Sequence, residues 1–167
     1  MSKPILAFDL GTKAAGCVEL VGDSIAFHQQ WLWTGPRKAP VIERQRSLFK
    51  WIVWQVCYGP LSAPVSAHIV AVEAAHLLPN RPRAVAVLAE CIGGLIALMP
   101  TTNEIVKVQP SQAKGALVGK GNASKAEMVQ WAFLRFGERL SEHEADALGV
   151  ALAALAQLKE KELINGP

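Results

Sequence analysis

The chain has 167 residues, 51% of them hydrophobic and only 19% charged, which is enough to bury a core as one domain and too apolar for a disordered segment. Its formal net charge of +3 permits a polyanionic partner without requiring one. Cys17, Cys57 and Cys91 are an odd number without CxxC spacing, which argues against a thiolate zinc site or disulfide framework and for a reducing compartment.

Ile5, Leu6, Ala7 and Phe8 form an unbroken apolar run, the pattern of a strand covered on both faces, and the run ends at Asp9. Two readings of Asp9 stand, a turn-forming Asx side chain or a carboxylate delivered to the rim of a buried sheet. This opening stretch is too short for a signal peptide or a membrane span, so a soluble cytoplasmic protein without membrane contact is expected. Gly11 lets the chain turn, and Ala14 to Val21 is apolar and β-branched enough to return as a second strand. Gly22-Asp23 leads into a third over Asp23 to Trp33; connections this short require antiparallel neighbours. Beyond Gly35, Pro36 and Pro40 a helix is expected over Val41 to Tyr58. Arg37, Lys38, Arg44, Arg46 and Lys50 cluster here against a single acid, Glu43, and a solvated face accounts for any one of them.

His68 to Glu73 repeats the opening pattern, with Ile69, Val70, Ala71 and Val72 closed by Glu73. Two buried strands ending in carboxylates need a cation or a shared proton if their ends meet. Arg83 to Met99 is apolar almost all round, so that helix is either fully buried or packed on another subunit. Glu104 to Gln109 reads as the last strand and Pro110 opens a helix. Gly119 and Gly121 flank Lys120 in a loop, after which Ser124 and Glu127 form the capping box of a helix running to about Gly137. Lys125 falls in that helix's first turn, where amides and dipole favour an anion, so a phosphate partner suits the position. Lys114 and Lys120 add to the same positive field. Ser141 and Glu144 cap a final helix of small residues, which accounts for Glu144. His143 and Asp146 share one face of that helix beside apolar positions, making Asp146 a third inward carboxylate; His143 alone reads as a surface or satisfied core histidine.

If Asp9, Glu73 and Asp146 converge, they form an oxygen-rich site suited to Mg²⁺ or Mn²⁺. Two such ions about 4 Å apart serve phosphodiester displacement, so hydrolysis of a nucleic-acid backbone is the chemistry that fits. The lysines would neutralise phosphates without reading sequence.

KGALVGKGNASKAEMV (Lys114 to Val129) and HEADALGVALA (His143 to Ala153), with ILAFDLGT at the start and VAVE at 70–73 in matching order and spacing, resemble the RuvC-family Holliday-junction resolvases. The likeness spans nearly the whole chain. It implies an α/β, ribonuclease H-like fold, a five-stranded mixed sheet with its first three strands antiparallel, flanked by helices, in a single nuclease domain over residues 1–167. It implies Asp9, Glu73, His143 and Asp146 as catalytic ligands of Mg²⁺ or Mn²⁺, with two ions per active site, and Lys114 and Lys125 as the cations at the scissile phosphate. Further DNA contacts would come from Lys13, Lys120, His76, Arg81 and Arg83. The resemblance also implies a homodimer, paired partly through the apolar helix after Glu73, cutting symmetric strands of a four-way DNA junction; it names no branch-migration partner.

Three positions depart from the family pattern. Asp9-Leu10-Gly11 replaces Asp-Pro-Gly and resembles phage-encoded relatives, His76 stands where an aromatic residue is frequent, and His143 stands where an aspartate is common. Competing readings are a YqgF-like RNA-processing nuclease, against which the 114–125 pattern speaks, and a protein that binds branched DNA without cutting it. An actin-like or sugar-kinase ATPase would need two domains, for which the chain is too short.

Overall fold

The computed structural model describes residues 3–75 and 82–165. Strands β1 (Ile5–Asp9), β2 (Ala14–Val21), β3 (Ser24–Leu32), β4 (Ile69–Glu73) and β5 (Ile105–Val108) form one sheet in the order β3-β2-β1-β4-β5. The first three are antiparallel, as their short turns demand, while β4 pairs parallel with both β1 and β5. Helices α1 (Val41–Tyr58), α2 (Pro82–Leu98), α3 (Pro110–Val118), α4 (Lys125–Phe136) and α5 (Glu142–Asn165) flank the sheet. The expected five-stranded mixed sheet is present, and its strands begin and end within one residue of the expected bounds.

Side-chain alternation along β1 and β4 decides the layering. Leu6, Phe8, Val70 and Val72 face α1 and α2, meeting Leu48, Ile52, Cys91 and Leu95. Ile5, Ala7, Ile69 and Ala71 face the other way, onto α5. Both faces are covered, hence the unbroken apolar runs in the sequence. α3 and α4 pack on the far side of α5, so this helix is clasped between the sheet and a second helical layer. Only small residues permit that approach. A Cβ on Gly149 would fall 2.8 Å from the Ala113 carbonyl oxygen and 2.9 Å from the Met128 methyl carbon.

α2 buries Cys91, Ile92 and Leu95 and exposes Ala86, Ala89, Gly93, Ala97 and Leu98; of the two arrangements expected for it, full burial within the chain is not found. The three thiols are free. Cys57 is exposed near the end of α1, whereas Cys17 and Cys91 are buried on the α1–α2 side and burial pushes both thiols above their usual range. Among the described residues no helix is long and apolar enough to cross a membrane.

β2 also buries a charged residue. Glu19 points to the α1–α2 side, and its Oε1 lies 2.7 Å from His68 Nε2, both side chains being fully enclosed. The Ser62 amide donates to the two carboxylate oxygens at 3.0 and 3.1 Å, and the Ser62 hydroxyl donates as well. These bonds fasten the connection preceding β4 to the sheet. Removing one partner of a buried pair strands the other without solvent, so Glu19→Ala is expected to cost about 3–5 kcal/mol. The check is a urea midpoint that falls at constant slope; an unmoved midpoint would mean that His68 and Ser62 find other partners.

Candidate active site

The same alternation places the strand-end acids. Asp9 continues the Ile5, Ala7 face and Glu73 the Ile69, Ala71 face, so both leave the sheet on the α5 side. Phe8 pairs with Val72, which sets the two carboxylates on adjacent parallel strands at their carboxyl ends, where open α/β sheets offer a crevice.

The start of α5 is brought to this rim by three contacts. Gly16 pairs with Asp9 across the ladder, and a Cβ there would fall 2.0 Å from the carbonyl oxygen of His143. Ser141 and Glu144 form the expected capping box, the Ser141 amide donating to Glu144 Oε2 at 2.7 Å and the Glu144 amide to Ser141 Oγ at 3.3 Å. Glu144 is buried and its Oε1 lies 2.8 Å from His28 Nδ1 of β3. Burial pushes the Glu144 carboxyl up, but the bonds from His28 and Ser141 outweigh it and hold the group below its usual range. Capping therefore accounts for half of what Glu144 does; its tie to the sheet edge had no local signal.

Asp9, His143 and Asp146 each place a ligand atom within 4.8 Å of the others. His143 Nδ1 is 2.9 Å from Asp9 Oδ2, and that bond raises the histidine's pKa. Glu73 stands outside this trio but borders the same recess, of about 210 Å³, with Lys114, Lys125 and Asp146. Burial, together with the charges of Asp9 and Asp146, pushes Glu73 up to about 7. Asp146 is pushed up to about 6 by burial and by Asp9. Lys125 Nζ lies 3.2 Å from Glu142 Oε2 and 3.9 Å from Asp146 Oδ2. Burial opposes its charge, yet Glu142, Asp146 and Asp9 prevail and raise its pKa. Glu142 is a partner that the sequence did not single out.

Carboxylates this crowded, two of them holding protons towards neutrality, fit a hard divalent cation. Asp9, His143 and Asp146 would hold it, with Glu73 on the adjoining recess. Cation and proton compete for Glu73 and Asp146, whose values lie near 7 and 6, and for His143, which the bond to Asp9 holds above its usual range, so affinity should rise as pH passes upward through neutrality. Titration calorimetry in buffers of different ionisation enthalpy should show more protons released on Mg²⁺ binding at about pH 6 than at about pH 8. Equal release at both would place the cation elsewhere.

The remaining expected DNA contacts are dispersed. Lys120 is paired with Glu127 and does not border the recess. Lys13 lies beside Trp33, Arg37 and Arg44, and Arg83 is exposed in the first turn of α2. His76 and Arg81 fall outside the described residues.

No protein-family model matches the chain, and no curated protein matches it in sequence. Solved structures do match over nearly its full length. T. thermophilus RuvC in complex with Holliday junction substrate is 20% identical with a TM-score of 0.67, covering 95% of this chain and 97% of that one. A second Thermus thermophilus RuvC structure is 19% identical with a TM-score of 0.67, covering 94% and 96%. The chain has the RuvC fold. This RuvC-like, ribonuclease H-like arrangement is the one expected from the opening strands and from the 114–129 and 143–153 motifs, which form α3, the start of α4 and the first turns of α5. Those three elements of the RuvC-like fold carry Lys114, Lys125, His143 and Asp146 to the ends of β1 and β4.

Proposed function

We propose that the chain is a divalent-metal-dependent, structure-selective endonuclease that resolves four-way DNA junctions by paired, symmetric phosphodiester hydrolysis. The observation that carries this is the convergence of Asp9, His143 and Asp146, with Glu73 and two lysines on the adjoining recess, at the strand ends of a RuvC-like sheet. Mg²⁺ or Mn²⁺, two ions per active site, would supply an acidified water and charge neutralisation at the leaving oxygen. The chain's own part is positional. Ser141, Glu144, His28 and the close approach at Gly16 hold His143 and Asp146 at the rim, where fixed geometry lowers the entropic part of the barrier. Lys114 and Lys125 supply positive charge for the oxygens of the phosphate under attack.

The reading includes a single nuclease domain over residues 1–167, acting in the cytoplasm, which its free thiols suit. It also includes a homodimer, supported by the small and apolar residues that α2 leaves exposed; a two-fold dimer matches the symmetry of a four-way junction. The neighbour solved with a Holliday junction substrate adds to the case for branched DNA. The test is cleavage of a labelled synthetic four-way junction against a duplex of equal length, with Mg²⁺ and with chelator. Paired, metal-dependent nicks confined to the junction are expected. Tight junction binding without nicks would make the chain a binder, and indifference to branching would redirect the search to structured RNA.

A further inference from the structure

A second group of cations lies at the same end of the sheet, on its other face. The Trp33 amide donates to the Lys13 carbonyl at 2.8 Å, extending the β2–β3 ladder past the Ala14–Leu32 pair and joining the segment after β1 to the segment after β3. Trp33 is packed with the α1–α2 side. Its ring folds so closely over the turn that a Cβ on Gly35 would fall 2.2 Å from it, and its Nε1 donates to the Pro36 carbonyl at 3.2 Å. Arg37 follows. The chain then enters α1, whose N-cap is Pro40 and whose first amides therefore have no side-chain cap, and Arg44 reaches back. Lys13, Trp33, Gly35, Arg37 and Arg44 enclose a pocket of about 230 Å³.

Its charge is unbalanced. Three cations line it and no acid does. Among the described residues none of the three forms a salt bridge, and Glu43, the one acid of this stretch, is exposed and not part of the lining. The Nε of Arg44 is buried and makes no hydrogen bond. An enclosed guanidinium N–H beside two like charges is unfavourable unless an anion completes it, and phosphate oxygens match the guanidinium fork.

We infer that this pocket, built by Lys13, Arg37 and Arg44 against Trp33, is a backbone-phosphate site for the nucleic-acid substrate. The inference rests on the endonuclease reading. Lys13 lies four residues beyond Asp9 in the chain, so cations occur on both sides of the sheet at the end that carries the acids, Lys114 and Lys125 on the α5 side and this set on the α1 side. A strand with one phosphate at the acids would be gripped on both sides of it. The contact is to phosphate and is independent of base sequence.

The test uses Asp146→Asn protein throughout, so that nothing is cut, and measures binding to a labelled four-way junction and to a duplex over a series of salt concentrations. Lys13→Ala/Arg37→Ala removes two exposed cations from the pocket; Lys3→Ala/Lys159→Ala removes the same charge from a different recess, lined by Ile5 and Ile69 at the starts of β1 and β4. The pocket variant should bind about tenfold more weakly, with a salt slope shallower by roughly one to two, as expected for one or two lost phosphate contacts. The control should keep the parental slope, and both should melt as the parent does. A pocket variant with parental slope and affinity overturns the site while leaving the endonuclease reading intact. A shallower slope in a protein indifferent to branching keeps the site and removes the junction reading; failure of the parent to bind either DNA removes both.

Discussion

Asp146→Asn should abolish junction cutting, by on the order of a thousandfold or more, because several kcal/mol of charge stabilisation depend on a complete ligand set. Junction binding should stay or tighten, since one negative charge near the DNA is gone. The same substitution should raise the melting temperature of the metal-free protein. The Asp146 carboxyl is held at about 6 against an ordinary value of 3.8, so the folded chain keeps that proton more firmly than the unfolded one. Between those two values stability falls as pH rises, and above the upper one the ionised group costs up to about 3 kcal/mol. Asn is free of that cost. The variant should therefore melt above the wild type at about pH 8 without metal, the gap should close as the pH falls towards about 4, and added Mg²⁺ should favour the wild type. A variant that binds junction poorly, or that melts lower without metal, would make Asp146 a structural residue.

A second large effect is expected at a residue that bears no chemistry. Gly16→Ala sets a methyl group 2.0 Å from the His143 carbonyl oxygen and 2.3 Å from its carbonyl carbon, against backbone that cannot rotate aside. Either β2 or the first turn of α5 must withdraw by more than an ångström. His143 and Asp146 would move with that turn, away from Asp9. A displacement of about 1 Å in a catalytic array costs roughly a hundredfold in rate, and overpacking costs about 1–3 kcal/mol of stability. Cutting should fall by at least that factor and Mg²⁺ affinity should weaken, while binding through the lysines of α3 and α4 persists. Gly115→Ala is the control, because a Cβ there meets nothing within 4 Å and the helix should gain about 0.5–1 kcal/mol. Unimpaired cutting by Gly16→Ala would show that the turn shifts freely and that the ligand positions are set elsewhere.

Much of the layering was legible because burial imposes its own period. Runs such as Ile5 to Phe8 and Ile69 to Val72 can only be strands covered on both sides, and each announced the acid at its end. Capping boxes marked the starts of α4 and α5, and their first turns hold Lys125, His143 and Asp146. What escaped were pairings across long stretches of chain. His28 and Glu144 are 116 residues apart and Glu19 and His68 are 49 apart; each member alone looks like an ordinary polar residue beside a strand or turn. Gly16 looked like any glycine in a β-run, because its meaning depends on a helix entering from the far end of the chain. Lys120 illustrates a different gap. Glu127 was recognised as a cap, and it is one, its Oε2 accepting from the Ser124 amide at 2.8 Å; its other oxygen is free to take Lys120 as well.

The thiols offer a way to ask whether the two sides of the sheet come apart together. Cys57 is open to solvent, while Cys17 and Cys91 are sealed on the α1–α2 side and α5 carries no cysteine. A maleimide should modify the native chain once, and the two slower modifications report the opening of that one side. Amide hydrogen exchange along α5 reports the opposite side. Matching rates would make the whole sheet a single cooperative unit; slower exchange in α5 would mean that the layer carrying His143 and Asp146 outlasts its counterpart.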